Sequence, residues 1–243
     1  MFAYLKFELR RLIREPRLFL FTVLMPVVSY VVFTGVGDGH GQVEGVAVAA
    51  ALMVGMAAYG AIIGVLSIGV GVSIERTQGW LRQLRLTPLP PAQVVLVKAF
   101  LATLTAIPSV ITVGIAGYLQ HHVSLSLGRW VALVLVMWVG TLPFALLGLA
   151  VGYAVPPALA QPASFISFFG LSVLGGLLVP VAAFPRGLQH FAHVLPSNRY
   201  AELGWKAAAG TLPTTPGLAL LVGWTVLFGV LAAAAYRRST ATR

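Results

Sequence analysis

The sequence predicts an all-α polytopic membrane protein with six transmembrane helices, and three observations carry that prediction. Hydrophobic residues make up 58% of the chain and charged ones only 9%, against about 25% charged in soluble domains. Mean hydropathy is +0.92. The charges are gathered into short islands that leave long uncharged runs between them. A length of 243 residues holds about six helical spans of roughly 20 residues with short connections, so one transmembrane domain accounts for residues 1–243.

At the amino terminus Phe2, Leu5, Leu9, Leu12 and Ile13 recur every three or four positions, with Lys6, Arg10, Arg14 and Arg17 on the other side. That pattern predicts an interfacial amphipathic helix over residues 1–17. A secretory signal peptide is the competing reading. The basic region and the apolar run are both too long for one, and Gly-Val-Gly-Asp-Gly-His-Gly offers no A-x-A-like cleavage site. The first span covers 18–36, with Pro26 as a kink point, and a glycine-rich turn holding Asp38 and Glu44 follows. The second span, 46–74, is the whole of a 29-residue uncharged run. Its Gly60 and Gly64, then Gly69 and Gly71, allow a neighbouring helix to approach closely, or reflect the general tolerance of glycine in membrane helices.

Residues 75–98 form the longest water-compatible segment between two uncharged runs. Arg76, Arg82 and Arg85 would each cost about 2.5–3.5 kcal/mol at mid-membrane, which puts this segment at or beyond a surface. Trp80, Leu81 and Leu84 share one face of a short helix, Arg82 and Arg85 another, and Pro88, Pro90 and Pro91 end it. The third span is 99–119, containing Pro108. Residues 120–129 connect it to a 56-residue stretch without internal charge, Trp130 to Pro185. Pro156, Pro157 and Pro162 divide that stretch into a fourth span at 130–155 and a fifth at 163–183. Residues 184–216 are amphipathic and interrupted by Pro196, which predicts two short helices lying on or dipping into the membrane. The sixth span is 217–236, closed by Arg237 and Arg238.

This topology places 12 basic residues on the side of the termini and the 75–98 segment and 4 on the other. The positive-inside rule therefore assigns both termini and the 75–98 segment to the cytoplasm. The formal charge of +10 suggests nucleic acid only if it forms a patch on a soluble face, whereas here it sits at the ends of apolar runs. The chain has no cysteine, which excludes disulfides and thiolate metal sites. No G-x-x-x-x-G-K-[ST] loop is present, so no Walker cradle for nucleotide exists here. His190 with His193, and His121 with His122, have ligand-like spacing but lack the further ligands a metal needs, and are read as interfacial polar residues. No His, Asp, Lys or Arg lies inside an expected span, which removes the parts of an intramembrane hydrolase or a proton-coupled carrier. Energy then comes from another chain, or none is used.

The motif Glu75-Arg76-Thr77-Gln78-Gly79-Trp80-Leu81, with Leu84, Thr87-Pro88 and Lys98, resembles the type-2 permeases of ATP-binding-cassette (ABC) transporters. So does the second island, from Phe184-Pro185-Arg186-Gly187-Leu188 through Leu195-Pro196 to Tyr200-Ala201-Glu202. The resemblance covers nearly the whole chain. Thr77 and Trp80 depart from it where family members often carry a second acid and a threonine, and Val97-Lys98 stands for the family's Gly-Lys.

What the resemblance implies is an exporter membrane subunit that dimerises, most simply with a second copy of itself, and sits on two copies of a separate ABC ATPase. ATP and Mg would be bound by the ATPase and no cofactor by this chain. Arg76, Gly79, Trp80, Leu81, Arg82, Leu84, Arg85 and Pro88 would form a cytoplasmic coupling helix seated in a groove of the ATPase. Glu75 would hold a gate by pairing with Arg76 of a neighbour or a base of the amino-terminal helix; the alternative is that it caps a helix end. The substrate path would run between the second and fifth spans, lined by Met53, Met56, Tyr59, Ile63, Phe165, Phe168 and Phe169, which suits apolar or amphipathic drug-like, antibiotic or lipid cargo. Ordinary helix packing accounts for the same seven residues. The expected location is a bacterial cytoplasmic membrane. A non-transporting scaffold or envelope-assembly protein is the reading from another class.

Overall fold

A computed structural model describes residues 20–36, 42–43, 46–78, 91–179 and 181–241. The interfacial helix expected over 1–17 and the segment from Gly79 to Pro90 lie outside the described residues. The described chain is helical apart from turns and one minimal hairpin, in which β1 (Gln42–Val43) pairs antiparallel with β2 (Val46–Ala47).

A π-helical turn over Leu20–Leu24 leads into α1 (Met25–Val36), with Pro26 at its second position, where a missing N–H is tolerated. After the hairpin comes α2 (Val48–Thr77), the longest helix. The next run is divided at Thr105 into α3 (Pro91–Leu104) and α4 (Ala106–His121), because Pro108 supplies no N–H to the Leu104 carbonyl. A turn with His122 in the left-handed region leads to α5 (Leu127–Gly140), which breaks at Thr141 before α6 (Leu142–Ala154). Helix α7 spans Pro157–Leu174, a 3-10 turn covers Val181–Ala183, and α8 (Arg186–Val194), α9 (Pro196–Ala209) and α10 (Thr215–Ala241) complete the chain.

The fifth helix differs from the range expected for the fifth span. It starts at Pro157 rather than 163, since proline is compatible with a first helical position, and Pro162 sits inside it. It ends at Leu174 rather than 183, because Gly176 adopts φ +81 and turns the chain.

Five helical stretches are long and apolar enough to cross a bilayer: Val48–Thr77, Gln93–His121, Leu127–Ala154, Pro157–Leu174 and Thr215–Ser239. A shorter apolar stretch, Thr22–Gly35, accompanies them.

Helix α2 is the centre of the packing, and each of its faces meets a different neighbour. Met53 and Gly60 face α4 and Gly64 faces Thr105 just before it, while Gly60 also meets Pro26 of α1 and Gly64 meets Thr22 of the π-helical turn. Gly69 lies so close to Gly148 of α6 that a Cβ there would stand 2.0 Å from the Gly148 carbonyl oxygen. Tyr59 packs on Phe168 of α7 with ring centroids 4.8 Å apart. The Ala51 carbonyl accepts the Trp205 indole N–H of α9 at 3.1 Å, and Gly204 of α9 abuts Val54. The main core forms around these contacts. A second, smaller cluster of Val72, Ala99, Leu149, Ala150, Tyr153 and Ala232 ties α2, α3, α6 and α10 together near the Thr77 end.

Candidate functional site

At the Thr77 end of α2 two roots of the chain meet. Glu75 is the one carboxylate in α2, and Lys98 is the one charged residue of α3. Their side chains form an ion pair, Lys98 Nζ to Glu75 Oε2 at 2.6 Å, with 3% and 7% exposure. Both lie on helix faces turned inward, so the pair is removed from water and its attraction is screened little. The pair ties together the two ends of the 75–98 segment.

Beside it, α2 makes polar contacts with the end of α6. Ser73 Oγ donates to the Val155 carbonyl at 3.0 Å. Arg76 Nη2 donates to the same carbonyl at 2.7 Å, and Nη1 donates to the Tyr153 carbonyl. The Tyr153 ring meets Tyr236 of α10 edge to face, 5.1 Å between centroids. The ends of α2, α6 and α10 and the middle of α3 are thus joined around a buried ion pair and the Arg76 guanidinium.

The residues assigned from the sequence to a coupling helix divide between described and undescribed chain. Arg76 is described, and its guanidinium faces α6. Gly79, Trp80, Leu81, Arg82, Leu84, Arg85 and Pro88 lie outside the described residues. Glu75 has a partner in its own chain, Lys98, which the sequence analysis treated only as a motif residue. An isolated lysine in an apolar run and an isolated acid at a span edge are complementary signals, but 23 positions separate them.

The seven path residues also divide. Leu52, Met56, Tyr59, Ile63, Ser67, Val70 and Ile74 fall at three- and four-residue spacing and form one strip of α2. All but Met56 are partly or largely exposed, the least enclosed side of an otherwise buried helix. Phe168 lies against this strip through Tyr59, while Phe165 and Phe169 are 55% and 51% exposed on the outer face of α7, stacked at 5.9 Å. Across the two helices the described contact is Tyr59 on Phe168; Phe165 lies beside Phe168 on α7 with centroids 6.4 Å apart, and Met56 and Ile63 share the strip with Tyr59. Met53 is elsewhere: its sulfur packs on Gly117 of α4, on a different face of α2.

At the opposite end of the bundle, α8 and α9 are anchored by hydrogen bonds. Ser197 Oγ donates to the Leu171 carbonyl at 2.6 Å, Asn198 Nδ2 to Gly175 at 3.1 Å, and the buried Tyr200 hydroxyl to Met137 at 2.9 Å. Trp224 of α10 donates to the Val194 carbonyl at 2.8 Å, and Arg199 pairs with Glu202 at 2.6 Å. His193 Nδ1 lies 3.3 Å from Asn198 Oδ1 and His190 Nδ1 2.8 Å from the Arg186 carbonyl, so each has a protein partner. Among the described residues no three His, Cys, Asp or Glu side chains gather into a metal-sized group.

Comparison with known proteins gives a concordant result. A family model described as ABC-2 family transporter protein matches residues 38–234. The Putative transport permease YvfS of Bacillus subtilis (strain 168) is 26% identical over 226 residues, which is 92% of this chain and 91% of that protein.

Proposed function

The chain belongs to the ABC-2 family of transporter proteins, the multi-pass membrane permeases of ABC transporters, and on that premise we propose that it is the permease subunit of an exporter for apolar or amphipathic molecules. In this reading six spans cross a bacterial cytoplasmic membrane, with Thr22–Gly35 as the core of the first and both termini in the cytoplasm. The excess of basic residues on the side of the 75–98 segment supports that orientation. Two copies of the permease associate with two copies of a separate ATPase, which binds ATP and Mg. Helices α8 and α9 form a re-entrant cap on the far side.

The observation that carries the proposal is the buried Glu75–Lys98 pair. A polar segment that is to deliver motion to a membrane bundle needs stiff roots, since a loosely tethered loop would absorb the displacement. The pair supplies them by fastening the segment's start to its end, so that a push on the segment moves α2 and α3 together. Trp80, Leu81 and Leu84 then seat in the ATPase, and Arg82 and Arg85 meet an acidic rim. The aromatic surface formed by Tyr59 of α2 on Phe168 of α7, continued on the outer face of α7 by Phe165 and Phe169, suits uncharged or amphipathic cargo.

The test is the double substitution Trp80→Ala with Leu84→Ala in the purified complex. The expected result is weakened ATPase association, or hydrolysis uncoupled from transport. Unchanged association and unchanged transport per ATP would overturn the docking role.

A further inference from the structure

Arg76 stands where α2 meets the 75–98 segment, yet its side chain reaches the elbow between α6 and α7. We infer that Arg76 is a positioning residue that splices this elbow to the end of α2, so that displacement of the segment reaches α7 through the elbow. The inference rests on the reading of 75–98 as the segment that receives the motor's motion; the splice itself does not.

Two prolines create the need for it. In a continuous helix the N–H groups of residues 156 and 157 would bond the carbonyls of Gly152 and Tyr153, and Pro156 and Pro157 have none to give. Helix α6 closes with Val155 N–H on the Val151 carbonyl at 3.0 Å. Helix α7 opens on the Pro156 carbonyl, which accepts from Leu159 and Ala160 at 3.0 and 3.1 Å. The carbonyls of Tyr153 and Val155 therefore fall at the gap between two helices, and α2 supplies donors to both. Arg76 bridges them with its two terminal nitrogens and Ser73 adds a second donor to Val155. A cation at the carboxyl end of α6 also complements the helix dipole. A planar fork reaches two carbonyls at once with good geometry, which a lysine ammonium matches less well.

The splice is the last of three successive joins. Gly69 meets the backbone of Gly148 and Gly152, Ser73 meets Val155, and Arg76 meets Tyr153 and Val155, at spacings that keep all three on one face of α2. Helices α2 and α6 and the elbow then travel as one body. Because α7 starts directly after the elbow and carries Phe168, which packs on Tyr59 of α2, both sides of that contact receive the same input.

The chain has no cysteine, so labels can be placed without background. Ile74→Cys and Leu159→Cys put spin labels at two exposed positions, one on the end of α2 and one on the first turn of α7. In the complex with its ATPase, the label distance is expected to keep its centre between nucleotide-free and ATP-trapped states. Adding Arg76→Gln is expected to broaden the distribution and to lower transport per ATP hydrolysed about tenfold, the scale of one lost charge-assisted hydrogen bond. Arg76→Lys should fall between. A shift of the label distance on ATP trapping in the chain with native Arg76 would overturn the inference, as would an Arg76→Gln variant with unchanged distribution and coupling. The measurement with native Arg76 decides even if Arg76→Gln fails to fold. An ATPase that does not bind the permease at all would sink the proposed function, while broadening by Arg76→Gln in the permease alone would still read the splice.

Discussion

Replacing Lys98 by methionine removes the ammonium 2.6 Å from Glu75 Oε2 while keeping most of the side-chain volume. At 3% and 7% exposure neither group has bulk water to fall back on. Removing one member of such a pair typically costs about 3–5 kcal/mol, because the other charge stays buried with poorer compensation. Replacing both members by apolar or neutral groups of similar size is often close to neutral. Lys98→Met is therefore expected to lose about 3 kcal/mol of unfolding free energy, Glu75→Gln a similar amount, and the double variant far less than the sum. The assay is equilibrium unfolding of the purified permease in mixed micelles, run as a double-mutant cycle. Additivity of the two single losses to within about 0.5 kcal/mol would refute the argument, since independent sites add and a coupled pair does not.

Two further outcomes follow from the packing. Gly69→Ala puts a Cβ 2.0 Å from the Gly148 carbonyl oxygen, and as both sides of the clash are backbone, it should lower thermal stability by about 1–3 kcal/mol or more; Gly71→Ala meets nothing within 4 Å and should be neutral or slightly stabilising, so equal effects at the two positions would contradict the α2–α6 contact. Phe169→Ala, at a position 51% exposed beside Phe165, is expected to change cargo preference in a reconstituted transport assay with little change in unfolding midpoint; a large loss of stability would mean that the ring belongs to the core.

The sequence made the coarse plan readable because hydrocarbon admits few charges, so uncharged runs mark where helices can cross and the islands mark where they cannot. The Pro156-Pro157 break was legible for a similar reason: two missing N–H groups in a row cannot continue a helix. Finer features depend on terms that hydropathy does not register. The breaks at Thr105 and Thr141 come from hydrogen-bond register near Pro108 and Pro143, inside runs of uniform apolarity. The early end of the fifth helix depends on Gly176 taking a left-handed conformation, which an apolar window overlooks. Within the candidate site, Glu75 and Arg76 were visible as individuals, but their partners Lys98, Tyr153 and Val155 were not. Two of those contacts are to backbone carbonyls, which carry no sequence signature at all. Met53 was assigned to the substrate path from its position in the span, and only the azimuth of its side chain moves it to Gly117.

The enclosure of α2 limits how the protein can change shape. Gripped around most of its circumference by α1, α4, α6, α7 and α9, it has no vacant side into which to slip. A displacement of its tip would carry the packed neighbours with it, leaving the thinly covered strip as the side where it meets least resistance. Substitution meets the same constraint: side chains along that strip have room to change, whereas Gly60, Gly64 and Gly69 on the gripped sides leave almost no space for a Cβ.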